Sequence, residues 1–85
     1  MSRFEKLLKR FLSKPKDFTY DELTRLLAGL GYEKASTGKT TGSRVAFVNS
    51  ETRHIIKLHR PHPGSELKRY QLDDIEETLR DKGAI

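Results

Sequence analysis

The segment GSRVAFVNSETRHIIKLHRPHPGSELK spans residues 42–68 and contains the two clearest strands of the chain. Apolar side chains alternate with others over residues 43–49 and again over residues 54–59, which is the period of a β-strand with one buried face. A short Ser-Glu-Thr turn separates the two strands. If the side that carries Phe47 and Ile56 is buried against helices, the opposite side of the sheet is left uncovered.

Three polar residues fall on the predicted uncovered side, namely Arg44, Lys57 and His59. The next four residues read Arg-Pro-His-Pro and place Arg60 and His62 just after the second of these strands. Neither proline can donate a backbone hydrogen bond, so the prolines stop a regular ladder and hold the segment stiff and extended. We therefore expect imidazole and cationic groups to converge on one open patch.

Two amphipathic helices are predicted before this segment. The first has apolar residues at i, i+3, i+4, i+7 and i+8 and ends near Pro15. The second begins at a capping box formed by Thr19 and Glu22 and ends at Gly31, which can adopt a positive φ. We expect both helices to pack inside the domain rather than on a membrane. Their apolar positions are Phe4, Leu7, Leu8, Phe11, Leu12, Leu23, Leu26, Leu27 and Leu30.

A first strand is predicted at residues 32–37, joined to the second strand by a Gly-Lys-Thr-Thr-Gly turn at residues 38–42. Gly-Lys-Thr copies the end of a phosphate-binding P-loop. The position five residues before Gly38 is Glu33 rather than glycine, however, and a strand follows instead of a helix. The sequence therefore predicts no nucleotide site at this turn.

A last helix is predicted at residues 72–82, with a buried stripe and Gly83 at its end. Four carboxylates lie in its N-terminal half, where they interact favourably with the helix dipole and oppose the binding of another anion. We expect no phosphate to bind at this helix start. The four carboxylates are Asp73, Asp74, Glu76 and Glu77.

The composition limits the classes of function. Eighty-five residues predict one domain over residues 1–85, without room for a deep pocket between two lobes. Seventeen Lys and Arg against twelve Asp and Glu give a charge of +5, which favours a polyanionic partner such as nucleic acid.

The absence of cysteine excludes disulfides, thiolate metal sites and cysteine nucleophiles. Charged residues interrupt the N-terminal apolar stretch, so we expect a soluble cytoplasmic protein with no membrane contact.

The histidines suggest a chemistry. Cleavage of RNA without a metal needs a base for the 2′-hydroxyl, an acid for the departing 5′-oxygen and cations for the phosphate. His59 and His62 are the candidate proton carriers, with Arg44, Lys57 and Arg60 as the cations. A zinc site on His59-x-x-His62 is the alternative, for which only His54 offers a third ligand.

Four motifs carry a resemblance to a known family. The second helix ends in LxxLGY, the second strand opens with Gly-Ser, and the last helix ends in L-x-x-x-G. LHRPHPGSELK at residues 58–68, followed by Tyr-Gln-Leu, is the fourth. With these motifs, residues 20–85 resemble the HicA toxin family. The resemblance implies an α+β, double-stranded-RNA-binding-domain-like fold, in which a three-stranded antiparallel sheet carries its helices on one face. The first helix would then be an N-terminal addition.

The same resemblance implies an mRNA interferase, which is an endoribonuclease that cuts messenger RNA without a cofactor until a HicB-like antitoxin covers it. Many members carry Gly-Ser-His and use that histidine in catalysis, whereas this chain has Arg44 at that position. Arginine stays protonated and cannot act as a general base, but its planar fork can hold a phosphate. We expect the catalysis to have moved to His59 or His62.

The predicted site therefore combines His59 and His62 as catalytic residues with RNA contacts from Lys39, Ser43, Arg44, Lys57 and Arg60. Two other readings stay open. One is an RNA-binding module of the same fold that does not cut, against which the acidic start of the last helix counts. The other is an adaptor that binds only protein, through that acidic helix and the basic first helix.

Overall fold

A computed structural model describes residues 2–35, 44–61 and 64–85, with Arg44 described only in its backbone. Three helices and three strands follow one another in the order α1, α2, β1, β2, β3 and α3. The strands form one antiparallel sheet in the order β1-β2-β3. The predicted α+β class, with its three-stranded sheet and additional N-terminal helix, is confirmed. The elements are α1 (Arg3–Leu12), α2 (Tyr20–Gly29), β1 (Tyr32–Lys34), β2 (Arg44–Asn49), β3 (Ile55–His59) and α3 (Arg69–Asp81).

The register of β2 and β3 separates the two faces of the sheet. Phe47 lies opposite Ile56, and both side chains are buried, at 0% and 5% exposure. The neighbouring pairs on the other face include Val48 with Ile55, and Ile55 is 50% exposed. Because side chains alternate along a strand, this register confirms that the face of Phe47 is the buried one.

The core lies between that face and the helices. Thirteen apolar side chains are buried in one cluster, to which all three helices contribute. Phe11 of α1 and Phe18, just before α2, meet edge to face with ring centroids 5.7 Å apart. Leu23, Leu26 and Leu27 of the predicted stripe are fully buried. Leu30, just after the end of α2, is only partly buried, and Leu12 at the end of α1 is 36% exposed. None of the described helices has the length and apolar character needed to cross a bilayer.

The capping box that predicts the start of α2 is present. Thr19 Oγ1 accepts a hydrogen bond from the backbone N–H of Glu22 at 3.1 Å, and Glu22 Oε1 accepts one from the N–H of Thr19 at 3.1 Å. At the other end Gly31 has a φ of +94°, a conformation that glycine adopts without strain. Local sequence therefore determines both ends of this helix.

Close contact with α2 positions α1. A Cβ atom on Gly29 would lie 2.4 Å from Cδ1 of Phe4, so only glycine allows the Phe4 ring to pack here. Arg10 of α1 also forms an ion pair with Glu22 of α2, with its Nε 2.6 Å from Glu22 Oε2. The hydrogen bond from Arg10 lowers the pKa of Glu22 below its ordinary value of 4.5.

A second ion-pair group connects the end of α1 to α3. Lys14 has a φ of +55°, and its Nζ lies 2.7 Å from Oδ1 of Asp73 and also contacts Glu76. The hydrogen bonds to Asp73 and Glu76 raise the pKa of Lys14, and Lys14 in turn lowers the pKa of Glu76. Asp73 and Glu76, two of the four carboxylates predicted at the start of the last helix, therefore form ion pairs with Lys14.

Helix α3 begins at Arg69, three residues before the predicted start, and no acidic residue lies in its first turn. The prediction of an acidic N-terminus is therefore wrong. The backbone N–H of Lys68 donates to Oε1 of Gln71 at 3.0 Å, which caps the helix without the usual Ser, Thr, Asp or Asn. The apolar stripe begins only at Leu72, so hydrophobic periodicity missed the exposed first turn.

We expect the Arg10–Glu22 pair to make the folded state sensitive to acid. A carboxyl whose pKa is lowered on folding stabilises the protein fully above its unfolded pKa, and this contribution disappears as the pH falls through the folded value. Glu22→Gln keeps an acceptor for the cap but removes the charge. The variant should melt below the parent at about pH 7, and the gap should narrow as the pH falls below the ordinary glutamate value of 4.5.

Circular dichroism melts across this pH range measure the effect. Glu77→Gln is the matched control, since Glu77 is exposed and forms no ion pair with any described residue. A constant gap between parent and Glu22→Gln at every pH would contradict the assigned role of the ion pair.

Candidate nucleic-acid interface

The open face of the sheet carries a small apolar patch, with the exposed Glu33 of β1 beside it and basic residues towards the end of β3. Val48 lies opposite Ile55, and Ala46 lies opposite Lys57. The residue pair closest to the strand ends is Arg44 with His59. Directly opposite residues in antiparallel strands have Cβ atoms about 4.5–5.5 Å apart. The sheet thus brings together three of the predicted site positions, as the sequence pattern indicated.

His59 is exposed at the end of β3, and a neighbouring helix stabilises its backbone. The side-chain amide of Gln71, in the first turn of α3, donates to the His59 carbonyl at 3.1 Å. Gln71 also accepts the hydrogen bond from Lys68 that caps α3. One glutamine therefore joins the strand end to the helix start, which brings the exposed Lys68 and Arg69 near this end of the sheet.

Arg60 lies away from the open patch, although it follows His59 directly. Its guanidinium carbon lies over the ring of Tyr20, 5.0 Å from the ring centroid. Tyr20 packs against Phe47 on the buried face, with ring centroids 6.2 Å apart. Lys34 also contacts this ring, with its Nζ 5.6 Å from the centroid. The structure therefore separates Arg60 from Lys57 and His59.

The remaining predicted site residues lie outside the described part of the chain. These are Lys39 and Ser43 before β2 and His62 after β3. The convergence of His62 with His59 accordingly stays a prediction. For Arg44 the strand register is the only structural observation.

The third histidine is not positioned to complete a metal site with His59. His54 Nδ1 lies 2.7 Å from the hydroxyl of Tyr32, and their rings meet edge to face. Burial raises the pKa of Tyr32, so its hydroxyl stays protonated and shares a hydrogen bond with Nδ1 of His54. Five residues of extended chain, at about 3.3 Å each, separate His54 from His59. Among the described residues no three His, Cys, Asp or Glu side chains cluster as a metal site.

Sequence reasoning missed three residues of this region, which are Tyr20, Lys34 and Gln71. Tyr20 and Lys34 lie far apart in the chain and meet Arg60 only through the packing of α2 against the sheet. No local pattern signals such a contact. Gln71 was detectable in principle, because glutamine at the third position of a helix is the typical partner of an N-cap backbone N–H.

Comparison with known proteins gives one match. A family model described as the HicA toxin of bacterial toxin-antitoxin matches residues 20–83, from the first residue of α2 to just beyond α3. No curated protein and no solved structure matches the chain significantly. Helix α1 precedes the matched range and is an addition to it. The match covers most of the sequence, including both strands of the open patch, and the chain therefore belongs to the HicA toxin family of bacterial toxin–antitoxin systems.

Proposed function

We propose that this protein is a cytoplasmic toxin that cuts messenger RNA until a HicB-like antitoxin covers it. Family membership supports the toxin role. The observation that carries the RNA contact is the open end of the sheet, where the β2–β3 register places Arg44 opposite His59 and next to the pair of Ala46 and Lys57. His59 and Lys57 are both exposed there.

The proposed reaction uses proton transfer at a phosphodiester. A base removes the proton of the ribose 2′-hydroxyl, and that oxygen attacks the phosphorus. The bond from phosphorus to the 5′-oxygen breaks, an acid protonates the departing oxygen, and the products are a 2′,3′-cyclic phosphate and a 5′-hydroxyl. His59 and His62 supply the two proton transfers in this scheme. Lys57 and Arg44 offset the charge that develops on the phosphate.

The other proposed RNA contacts are Lys39, Ser43 and Arg60. Lys39 and Ser43 come shortly before Arg44 in the sequence. Arg60 differs from them, because it contacts Tyr20 rather than the open patch. We therefore assign Arg60 to a phosphate beside the scissile one and not to the reacting group itself.

A second candidate function is RNA binding without cleavage. It is favoured by the basic start of α3, where Lys68 and Arg69 precede every acidic residue of the helix. A positive helix end with nearby lysines and arginines suits the phosphates of an RNA duplex. Arg44 stands where the family's catalytic histidine is expected, and this also fits a member that has lost cleavage.

Replacing His59 separates the two candidates. If His59 transfers a proton, His59→Ala should slow cleavage of a labelled RNA by about a hundredfold or more, with EDTA present throughout. The same variant should no longer arrest growth when expressed without an antitoxin. His62→Ala is expected to behave alike.

The matched control is His54→Gln, which replaces the histidine at the opposite end of β3 with a residue that can still accept from Tyr32. Since the glutamine amide can either donate to or accept from the Tyr32 hydroxyl, this variant should retain full cleavage. Cleavage that survives in both His59→Ala and His62→Ala would exclude these histidines from the mechanism. RNA binding by the parent with no cleavage product would favour the second candidate.

Salt dependence tests the phosphate contacts of the open patch. Affinity for RNA falls as the salt concentration rises. Each cation that neutralises a phosphate of single-stranded RNA adds about 0.7 to the magnitude of the slope of log affinity against log salt concentration. Lys57→Gln and Arg44→Gln should each lower the slope by about this amount. Lys9→Gln removes the same charge from the exposed side of α1 and should leave the slope unchanged. Equal slopes in all four proteins would show that neither residue contacts a phosphate.

A further inference from the structure

A surface cavity of about 250 Å³ lies beside Arg60, against the tyrosine that Arg60 covers. We propose that this cavity binds a phosphate group through Lys34 and Arg60. The volume is below the range of about 300–1,000 Å³ that is typical of sites for drug-sized ligands, so it suits a phosphate rather than a whole nucleotide. Tyr20, Asp21 and Ser65 contribute to its walls.

The charges in this cavity favour an anion. Lys34 Nζ and Arg60 Cζ lie within 6 Å of the same ring centroid, at 5.6 and 5.0 Å. Neither cation forms an ion pair with a carboxylate of the described residues, and Asp21 pairs with neither. Two cations against one carboxylate leave a positive excess. Because both cations line the cavity, an anion bound in it is attracted to both of them.

The wall of the cavity is rigid before any ligand enters. Tyr20 is 9% exposed, and its backbone N–H donates to the carbonyl of Ser65 at 2.8 Å. Thr19 also forms a β-bridge with Glu66, which fastens the start of α2 to the segment before α3. A wall fixed in this way loses little entropy on binding. The ring is therefore held in place, and the exposed side chains of Lys34 and Arg60 reach over it.

Tyr20 also holds a polar group that no described residue satisfies. Its hydroxyl is buried and has no hydrogen-bond partner in the described part of the chain. Buried polar atoms almost always have partners, so such an atom calls for a physical explanation. Because this oxygen is out of reach of water-sized molecules, it lies behind the ring and does not contact a ligand in the cavity.

The cavity extends the proposed function and rests on it for the identity of the ligand. Arg60, which lines the cavity, directly follows His59 of the open patch, and consecutive Cα atoms are about 3.8 Å apart. An RNA strand that crosses this strand end offers a second phosphate to Lys34 and Arg60. A terminal phosphate monoester would present the same chemistry.

Titration with inorganic phosphate, followed by ¹⁵N NMR at constant ionic strength, tests the site directly. We expect saturable shifts at the Arg60 Nε–H and at the Tyr20 and Ser65 amides. Lys34→Gln and Arg60→Gln should each weaken phosphate binding by tenfold or more. Lys9→Gln is the matched control, because it removes one positive charge from α1 and should bind phosphate as the parent does. Spectra of each variant confirm that the fold is kept.

A second arm identifies the source of the phosphate. Short RNAs with and without a 5′-phosphate are titrated into His59→Ala, in which cleavage is suppressed, and into His59→Ala combined with Arg60→Gln. A loss of affinity for both RNAs on adding Arg60→Gln assigns the cavity to a backbone phosphate. A loss confined to the 5′-phosphorylated RNA assigns it to a terminal phosphate.

Shifts that never saturate, or that are equal in the parent and in both cavity variants, would overturn the proposal. RNA cleavage by the parent with no phosphate binding would overturn the cavity assignment alone. Saturable phosphate binding in a protein that neither binds nor cuts RNA would keep the cavity and reject the proposed function.

Discussion

Burial of Phe47 and Ile56 beneath the helices determines which side chains of the sheet can meet a ligand. These residues face each other across β2 and β3, and both are almost fully buried. Side chains alternate with a period of two, so burying this pair directs Lys57 and His59 to the opposite, uncovered face. A register shift of one residue would bury the candidate site and expose the core. The free energy that stabilises the sheet therefore also orients the proposed RNA-binding groups.

At the end of β3, consecutive side chains lie on different sides of the sheet. His59 lies with the open patch, whereas Arg60 crosses to the helix-covered side and lies over Tyr20. Gln71 fixes the backbone between them through its contact with the His59 carbonyl. In the proposed function, these two neighbouring residues act on two different phosphates. The Leu-His-Arg-Pro segment therefore presents its histidine and its arginine to different sides of the sheet.

Helix α1 lies before the family match, and yet it is fully part of the packed structure. Phe11 contributes to the core cluster, and Phe4 occupies the space that the absent side chain of Gly29 leaves. The partly buried ion pairs of Arg10 and Lys14 add to this packing and connect the helix to α2 and α3. Apolar burial holds α1 in place.

The sequence by itself determined the elements whose signals are local. The capping box at Thr19 and Glu22, the positive φ of Gly31 and the alternation in β2 and β3 each involve residues a few positions apart, and all three are present in the structure. The pattern predicts the start of α3 three residues too late, because the first turn is exposed and the buried stripe begins only at Leu72. Only the tertiary structure decided that Arg60 and Lys34 meet at Tyr20. Such a contact depends on how α2 packs across the sheet, and no pattern of neighbouring residues encodes the distance between groups that folding alone brings together.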